Sequence, residues 1–115
     1  MLKGVGPSVA LGRDTTMLRE LLDAAAEQLD EGLKDHPEAE IEMRSTIGEV
    51  YKELREFTKA EAMFRRQLAL SRRTFTPPHD KLARALNQLG DVLQQQDKLV
   101  ESEALLREAL TMVRT

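Results

Sequence analysis

The chain has 115 residues, 41% of them apolar and 3% aromatic, and its net charge is −3. This length predicts one domain with a modest core, and the absence of cysteine from the sequence excludes disulfides and thiolate chemistry. A pI near 5.4 and the scarcity of aromatic residues argue against nucleic acid as a partner. Because no apolar run is long enough for a membrane span or a signal peptide, we expect a cytoplasmic protein that does not enter membranes.

Apolar residues recur at helical spacing through most of the chain, which predicts an all-α fold of five helices. We expect residues 1–13 to form a flexible lead-in and residues 14–115 to form one domain. Asp14 is placed to cap the first helix, and Thr58 and Glu61 resemble a capping box for the third. The predicted helices cover residues 15–33, 38–53, 57–74, 79–95 and 99–114, with short turns inside each later pair.

The chain also repeats itself at a spacing of 42 residues, as residues 47–70 and 89–112 demonstrate. A fixed period of this size predicts stacked helical hairpins, an architecture whose usual role is to bind other proteins. We therefore divide the domain into a capping helix over 14–35 and two repeats over 36–78 and 79–115. Identical pairs include Gly48 and Gly90, Val50 and Val92, Glu61 and Glu103, Ala62 and Ala104, Arg65 and Arg107, and Leu68 and Leu110.

These residues resemble tetratricopeptide repeats (TPR) of the kinesin light chain type, which share this period. Gly48 and Gly90 match the small residue at which the two helices of a unit meet, and the segment ending at Gly90 matches the family's Leu-Asn-Asn-Leu-Ala/Gly stretch. Gln67 departs from the pattern, because Ala109 supplies the usual small residue in the second unit. The resemblance, over about residues 36–115, implies a TPR-like α-solenoid of one capping helix and two hairpins.

In repeats of this type the first helix of each unit lines the concave face, so the resemblance implies a binding groove there. Asn87 matches the family's groove asparagine, whose carboxamide can donate to and accept from a peptide backbone. The alternative role of Asn87 is to tie its helix to a neighbouring helix. By register we expect the groove to contain Glu42, Ser45, Glu49, Lys52 and Glu53 of the first unit and Arg84, Asn87, Asp91, Gln94 and Gln95 of the second.

A cluster of arginines on the third helix is the second candidate protein-binding surface. It belongs to the basic part of the chain, because residues 65–115 carry a net charge of +3 and residues 1–64 one of −6. The cluster predicts docking on an acidic protein or a phosphate, and the alternative is a solvated face neutralised by nearby glutamates. By helical spacing, one side of the helix presents Arg65, Arg66, Arg72 and Arg73.

We expect no metal site, cofactor or catalytic centre, and therefore no enzyme. His36 and His79 lie in the turns of different units, and the sequence contains neither a zinc-binding spacing nor a phosphate-binding loop. Both histidines are therefore predicted to be turn residues.

The fifth helix carries an apolar strip between Leu105 and Val113. Repeat arrays usually end in a polar capping helix, and none follows this strip. We therefore expect a partner or a second copy of the chain to cover it, the latter giving a homo-oligomer.

The resemblance also sharpens the expected partner. Small bacterial kinesin light chain proteins of this size and repeat type are associated with bacterial tubulin homologues. We therefore expect a non-enzymatic adaptor that binds and stabilises a bacterial tubulin-like filament. One alternative is a regulatory module, because similar helices and repeats follow bacterial Ser/Thr kinase domains. Another alternative is a helical scaffold that self-associates.

Overall fold

The computed structural model describes residues 7–33 and 35–114, and the side chains of residues 15–33 and 35–113. The described chain is entirely helical apart from its turns, so the all-α prediction is confirmed. We call α2 and α3 the first hairpin, and α4 and α5 the second hairpin. The helices are α1 (Pro7–Gly32), α2 (Pro37–Glu53), α3 (Phe57–Thr74), α4 (Asp80–Gln95) and α5 (Leu99–Arg114).

The helix ends confirm the sequence analysis closely in the two hairpins and contradict it at the start of α1. The helix begins at Pro7 rather than at Thr15, so residues 7–13 are helical and Asp14 is not its cap. Proline at the first helical position is favoured, because its fixed φ suits a helix and its missing N–H is not needed there. Residues 1–6 of the predicted lead-in lie outside the described residues.

The predicted capping box of α3 is also absent. Glu56 is the N-cap residue and makes no side-chain cap hydrogen bond, while Thr58 already lies inside the helix. The carboxylate of Glu61 instead accepts hydrogen bonds from Arg65 and from Gln96 of the second hairpin, both at 2.7 Å. The helix begins too early for Thr58 to act as a cap.

The turns inside the two hairpins have the same backbone geometry. Arg55 and Asp97, which are 42 residues apart, both adopt a left-handed conformation, with φ of 63° and 61°. After each of them, a backbone N–H donates to the carbonyl five residues earlier, at 2.8 Å from Glu56 to Tyr51 and at 2.9 Å from Lys98 to Leu93. These turns close the helix ends in the manner of a Schellman motif.

Glycine permits the two helices of each hairpin to approach closely, as the repeat pattern predicted. A Cβ atom on Gly48 would lie within 3.0 Å of three ring carbons of Phe64, which is fully buried in α3. A Cβ atom on Gly90 would lie 2.8 Å from two side-chain carbons of Leu106 in α5. A glycine at the same position of the repeat therefore lets the two helices of each hairpin pack closely.

The two hairpins stack through α3 and α4, and α2 and α4 lie side by side. Four leucines of α4 are at most 1% exposed and belong to one core with Phe64 and Leu68 of α3. The contact of α1 with α2 is smaller and more polar, because Arg44 bonds both Glu40 and Asp30 at 2.7 Å. The leucines of α4 are Leu82, Leu86, Leu89 and Leu93.

Candidate protein-binding face

The side-by-side packing of α2 and α4 creates a shallow polar groove of about 330 Å³. We call this surface the α2–α4 face. Both helices contribute polar side chains to this surface, whereas their buried apolar residues belong to the core shared with α3 and α5. The groove is lined by Glu49, Lys52, Asn87, Gln88, Asp91 and Leu106.

Charged side chains join the two helices across this face. The Arg84 Nη2 atom donates to Glu42 Oε2 at 2.8 Å, and Lys52 Nζ donates to Asp91 Oδ2 at 2.8 Å. The hydrogen bond from Arg84 lowers the pKa of Glu42 below its usual value, since it stabilises the carboxylate. Burial alone would lower the pKa of Lys52, but hydrogen bonds to Asp91 and Glu49 outweigh burial and raise it. Both pKa shifts favour the charged forms, the carboxylate of Glu42 and the ammonium group of Lys52.

Gln88 holds the centre of the same face, and the sequence analysis missed it. Its Nε2 donates to Ser45 Oγ at 2.9 Å and to Glu49 Oε2 at 2.8 Å, while its Oε1 accepts from Gln67 Nε2 at 2.8 Å. Gln67 is fully buried in α3. A buried glutamine requires a hydrogen-bond partner. The presence of Gln67 where the repeat pattern expects a small residue therefore indicated that a polar partner such as Gln88 lies nearby.

Asn87 differs from its neighbours because its carboxamide is not engaged. The residue is exposed, lines the groove, and makes no hydrogen bond within the described part of the chain. The alternative prediction, that Asn87 ties α4 to another helix, therefore describes Gln88 instead.

The remaining residues expected in the groove have different positions. Gln94 lines a separate groove formed with α5. Glu53 and Gln95 are exposed at the ends of their helices and do not line the α2–α4 groove.

Two of the four arginines on α3 bind carboxylates of α5. Arg65 donates through both terminal nitrogens to Glu101 at 2.8 and 2.9 Å, and Arg72 does the same to Glu108 at 2.7 and 2.9 Å. The hydrogen bond to Glu101 is the largest cause of the raised pKa of Arg65, and Glu108 raises the pKa of Arg72 in the same way. These two arginines join the hairpins.

The other two arginines leave the helix on another side. Arg66 is 3.5 Å from Glu40 of α2 and remains half exposed, whereas Arg73 is exposed and forms no ion pair among the described residues. The expected patch of four arginines therefore consists of two different pairs. Of these four arginines, Arg73 has no ion-pair partner among the described side chains, and Arg66 keeps about half of its side chain exposed beside Glu40.

The histidines occupy turns. His79 is the N-cap of α4, where its Nδ1 accepts from the backbone N–H of Lys81 at 3.1 Å, and its ring stacks on Phe75. His36 precedes α2 without a side-chain cap bond. Among the side chains that the structure describes, no group of three candidate metal ligands comes together.

The model of the tetratricopeptide repeat family matches residues 39–115. Neither a curated protein nor a solved structure matches. No helix in the described ranges is long and apolar enough to cross a membrane.

Proposed function

Because the chain belongs to the tetratricopeptide repeat family, a protein-interaction module, we propose that it is a non-enzymatic adaptor that binds an extended peptide on its α2–α4 face. The single observation that carries this proposal is the unengaged carboxamide of Asn87 in a groove whose other polar groups are paired. A side-chain amide can donate to a peptide carbonyl and accept from a peptide N–H at the same time.

The charges beside Asn87 indicate which peptides suit the groove. Glu49 and Asp91 both bond Lys52, so two carboxylates share one ammonium group. Lys52 is the least exposed of the three, with 24% of its side chain accessible against 37% for Glu49 and 45% for Asp91. The groove is therefore mildly acidic, and we propose that its peptide carries a basic side chain next to the backbone that Asn87 binds.

A displayed library of random peptides, selected on the immobilised full chain, tests this function. We expect selected peptides to be enriched in Lys or Arg and to lose at least about tenfold in affinity on Asn87→Ala. Gln28→Ala is the matched control, because Gln28 is an exposed amide on α1, and it is expected to change nothing. Peptides that bind the Asn87→Ala variant as tightly as the wild type would remove the proposed site.

We further propose that the cytoplasmic partner is the outer surface of a bacterial tubulin-like filament. This rests on the resemblance to bacterial kinesin light chains, for which an acidic filament is the implied partner. The exposed guanidinium groups of Arg66 and Arg73 supply the complementary charge. The proposal concerns a second surface, on α3, and does not depend on the peptide groove.

Co-sedimentation with polymers of bacterial tubulin at low and high salt tests the filament proposal. We expect binding at low salt that weakens at high salt, and that the double variant Arg66→Gln, Arg73→Glu abolishes. Glutamine at position 66 removes the charge without placing a second carboxylate beside the buried Glu40. Arg65 and Arg72 are unsuitable for this test because they hold α5. The Arg107→Glu variant changes an exposed charge on α5 and is the control. Absence of co-sedimentation at low salt would discard the filament and leave the peptide adaptor.

A further inference from the structure

Helix α1 contacts the first hairpin at the repeat positions through which α3 contacts the second hairpin. We call the contact of α1 with the first hairpin the first step, and the contact of α3 with the second hairpin the second step. The 42-residue period pairs Leu22 of α1 with Phe64 of α3, and both are buried in the common core. Ion pairs also link α1 or α3 to the following hairpin, and their signs distinguish the two steps.

The first of these ion pairs joins each helix to the turn of the hairpin that follows it. In the first step, Arg19 Nε lies 2.7 Å from Glu56 Oε2, and in the second step Lys98 Nζ lies 3.1 Å from Glu61 Oε1. Glu61 is the counterpart of Arg19, and Lys98 is the counterpart of Glu56. Both charges of this pair are therefore inverted between the two steps.

The next ion pair along the helices is inverted in the same way. In the first step, Lys59 Nζ donates to Asp23 Oδ2 at 3.0 Å. In the second step, Arg65 donates to Glu101 at 2.8 and 2.9 Å. Asp23 and Arg65 are counterparts in the repeat, and so are Lys59 and Glu101. An acid on α1 therefore faces a base, whereas a base on α3 faces an acid.

A third pair of counterparts, Asp30 and Arg72, continues the inversion of sign. Asp30 of α1 bonds Arg44 of α2 at 2.7 Å, whereas Arg72 of α3 binds Glu108 of α5 at 2.7 and 2.9 Å. The partners lie on different helices of their hairpins, so only the sign follows the period here. At these three positions α1 carries a base followed by two acids, and α3 carries an acid followed by two bases.

We infer that this charge inversion determines which helix packs on which hairpin. If α3 lay on the first hairpin in the same register, Glu61 would meet Glu56 and Arg65 would meet Lys59. In the exchanged arrangement, α1 would make like-charge contacts of the opposite sign with the second hairpin. Each exchange therefore removes an attraction and introduces a repulsion, and both changes disfavour the wrong arrangement.

The exposure of these side chains indicates that the pairs provide specificity more than stability. The four side chains that form the first two pairs of the first step are between 34% and 46% exposed. Ion pairs this exposed contribute little to the free energy of unfolding. Equivalent helices of a repeat protein can exchange places during folding, within a chain or between copies, and such exchange is a characteristic route to misassembly. Charges of opposite order on α1 and α3 oppose that exchange.

The test exchanges two charges of α1 in the full chain. All variants carry Tyr51→Phe, because the Tyr51 hydroxyl donates to Asp23 and would otherwise lose its partner. The exchanged variant, Arg19→Glu with Asp23→Lys, gives α1 the charge order of α3 and leaves the net charge unchanged. The neutral variant, Arg19→Gln with Asp23→Asn, only removes the charges. Hydrogen exchange of the α1 backbone amides measures how often this helix leaves the first hairpin.

We expect the neutral variant to lose about fivefold in α1 protection, and the exchanged variant at least about threefold more, at low salt. High salt should bring the two variants together, because it screens the repulsion. Adding Glu56→Lys and Lys59→Glu to the exchanged variant should restore protection nearly to that of the Tyr51→Phe parent. Glu20→Lys changes an exposed charge of α1 with no ion pair among the described residues, and it should change nothing.

Two results would overturn the inference. Equal α1 protection in the neutral and exchanged variants at low salt would show that like charges do not exclude a helix from the first hairpin. An exchanged variant that Glu56→Lys and Lys59→Glu fail to rescue would show that the order of charges is not what the hairpin recognises. If the exchanged variant does not fold, the same rescue decides, because restored opposite charges should then restore the folded chain.

Discussion

The two hairpins share their turns, their glycines and their period, yet each meets its preceding helix differently. In the second hairpin, Leu82 and Leu86 of α4 are completely buried and belong to the core that also contains Phe64 and Leu68 of α3. In the first hairpin, the same two positions are Glu40 and Arg44, a buried ion pair that also reaches Asp30 of α1. The contact of the first hairpin with α1 therefore combines this buried ion pair with the apolar side chains of Leu22 and Leu29, which belong to the common core.

The two contacts should differ in strength. An apolar contact gains free energy from every area it buries, whereas a buried ion pair must first offset the desolvation of both charges. The α3–α4 contact is also the more extensive of the two. We therefore expect α1 to separate from the first hairpin more readily than the hairpins separate from each other.

The largest expected effect comes from breaking the buried ion pair of the first hairpin. Arg44→Leu should lower the free energy of unfolding by about 3 kcal/mol, because it leaves the Glu40 carboxylate buried with only Arg66 nearby, at 3.5 Å. The double variant Glu40→Leu, Arg44→Leu installs the residues of the second hairpin and should recover most of that loss. Urea denaturation measures both, and a double variant no more stable than Arg44→Leu would contradict the comparison.

Replacing Gly48 or Gly90 by alanine should destabilise the two hairpins to different extents. Gly48→Ala should cost about 1–3 kcal/mol, because the new methyl group meets the ring of Phe64, which is fully buried and cannot move aside. Gly90→Ala should change stability by less than about 1 kcal/mol, since Leu106 is only half buried and can change rotamer. Thermal unfolding of the two variants separates these cases. Equal losses would mean that Leu106 is held as tightly as Phe64.

The turn residues should give a smaller effect of opposite sign. Arg55→Gly is expected to stabilise the protein by about 0.5–1 kcal/mol, because arginine adopts the left-handed φ of 63° at a cost that glycine avoids. Asp97→Gly should gain less, since aspartate tolerates this conformation better than arginine does. The Arg55 guanidinium lies 5.6 Å from the centre of the Phe57 ring. A larger gain at Asp97 than at Arg55, measured by urea denaturation, would mean that this contact outweighs the backbone strain.

The smallest effect concerns acid stability, at a contact that the second hairpin lacks. Asp23 of α1 accepts hydrogen bonds from Tyr51 and Lys59, and these lower its pKa from 3.8. The counterparts of Tyr51 and Lys59 are Leu93 and Glu101.

Because the folded-state pKa of Asp23 is the lower one, its contribution is present above pH 3.8 and is lost as the pH falls through the folded value. Asp23→Asn should therefore cost less than about 1 kcal/mol at pH 7, given the exposure of the group, and almost nothing at pH 2. A loss that is equal at both pH values, in urea titrations, would mean that the hydrogen bonds do not depend on the carboxylate charge.

Features set by neighbouring residues or by the 42-residue period could be predicted from the sequence, whereas contacts between helices could not. The bounds of α3 and α5 follow from local signals, namely apolar spacing and short turns, and Gly48 and Gly90 follow from the period. Gln88 could not be found in this way, because its partners Ser45 and Glu49 lie on another helix, about one repeat earlier.

The arginine cluster illustrates the same limit. Helical spacing places Arg65 and Arg72 correctly on α3, but it contains no information about the register of α5. Their carboxylate partners are 36 residues away in sequence, and only the stacking of the hairpins brings them together. The contacts between the two hairpins therefore determine which arginines of α3 remain available for binding.

We propose that peptide binds in the groove of the α2–α4 face, which Asn87 lines. The most direct test is to titrate ¹⁵N-labelled full chain with a peptide selected on it and to follow the backbone and side-chain amide shifts. We predict the largest changes at the Asn87 carboxamide and at the amides of Glu49, Lys52 and Asp91. Changes confined to α3 and α5, with the Asn87 carboxamide unmoved at saturation, would contradict the claim.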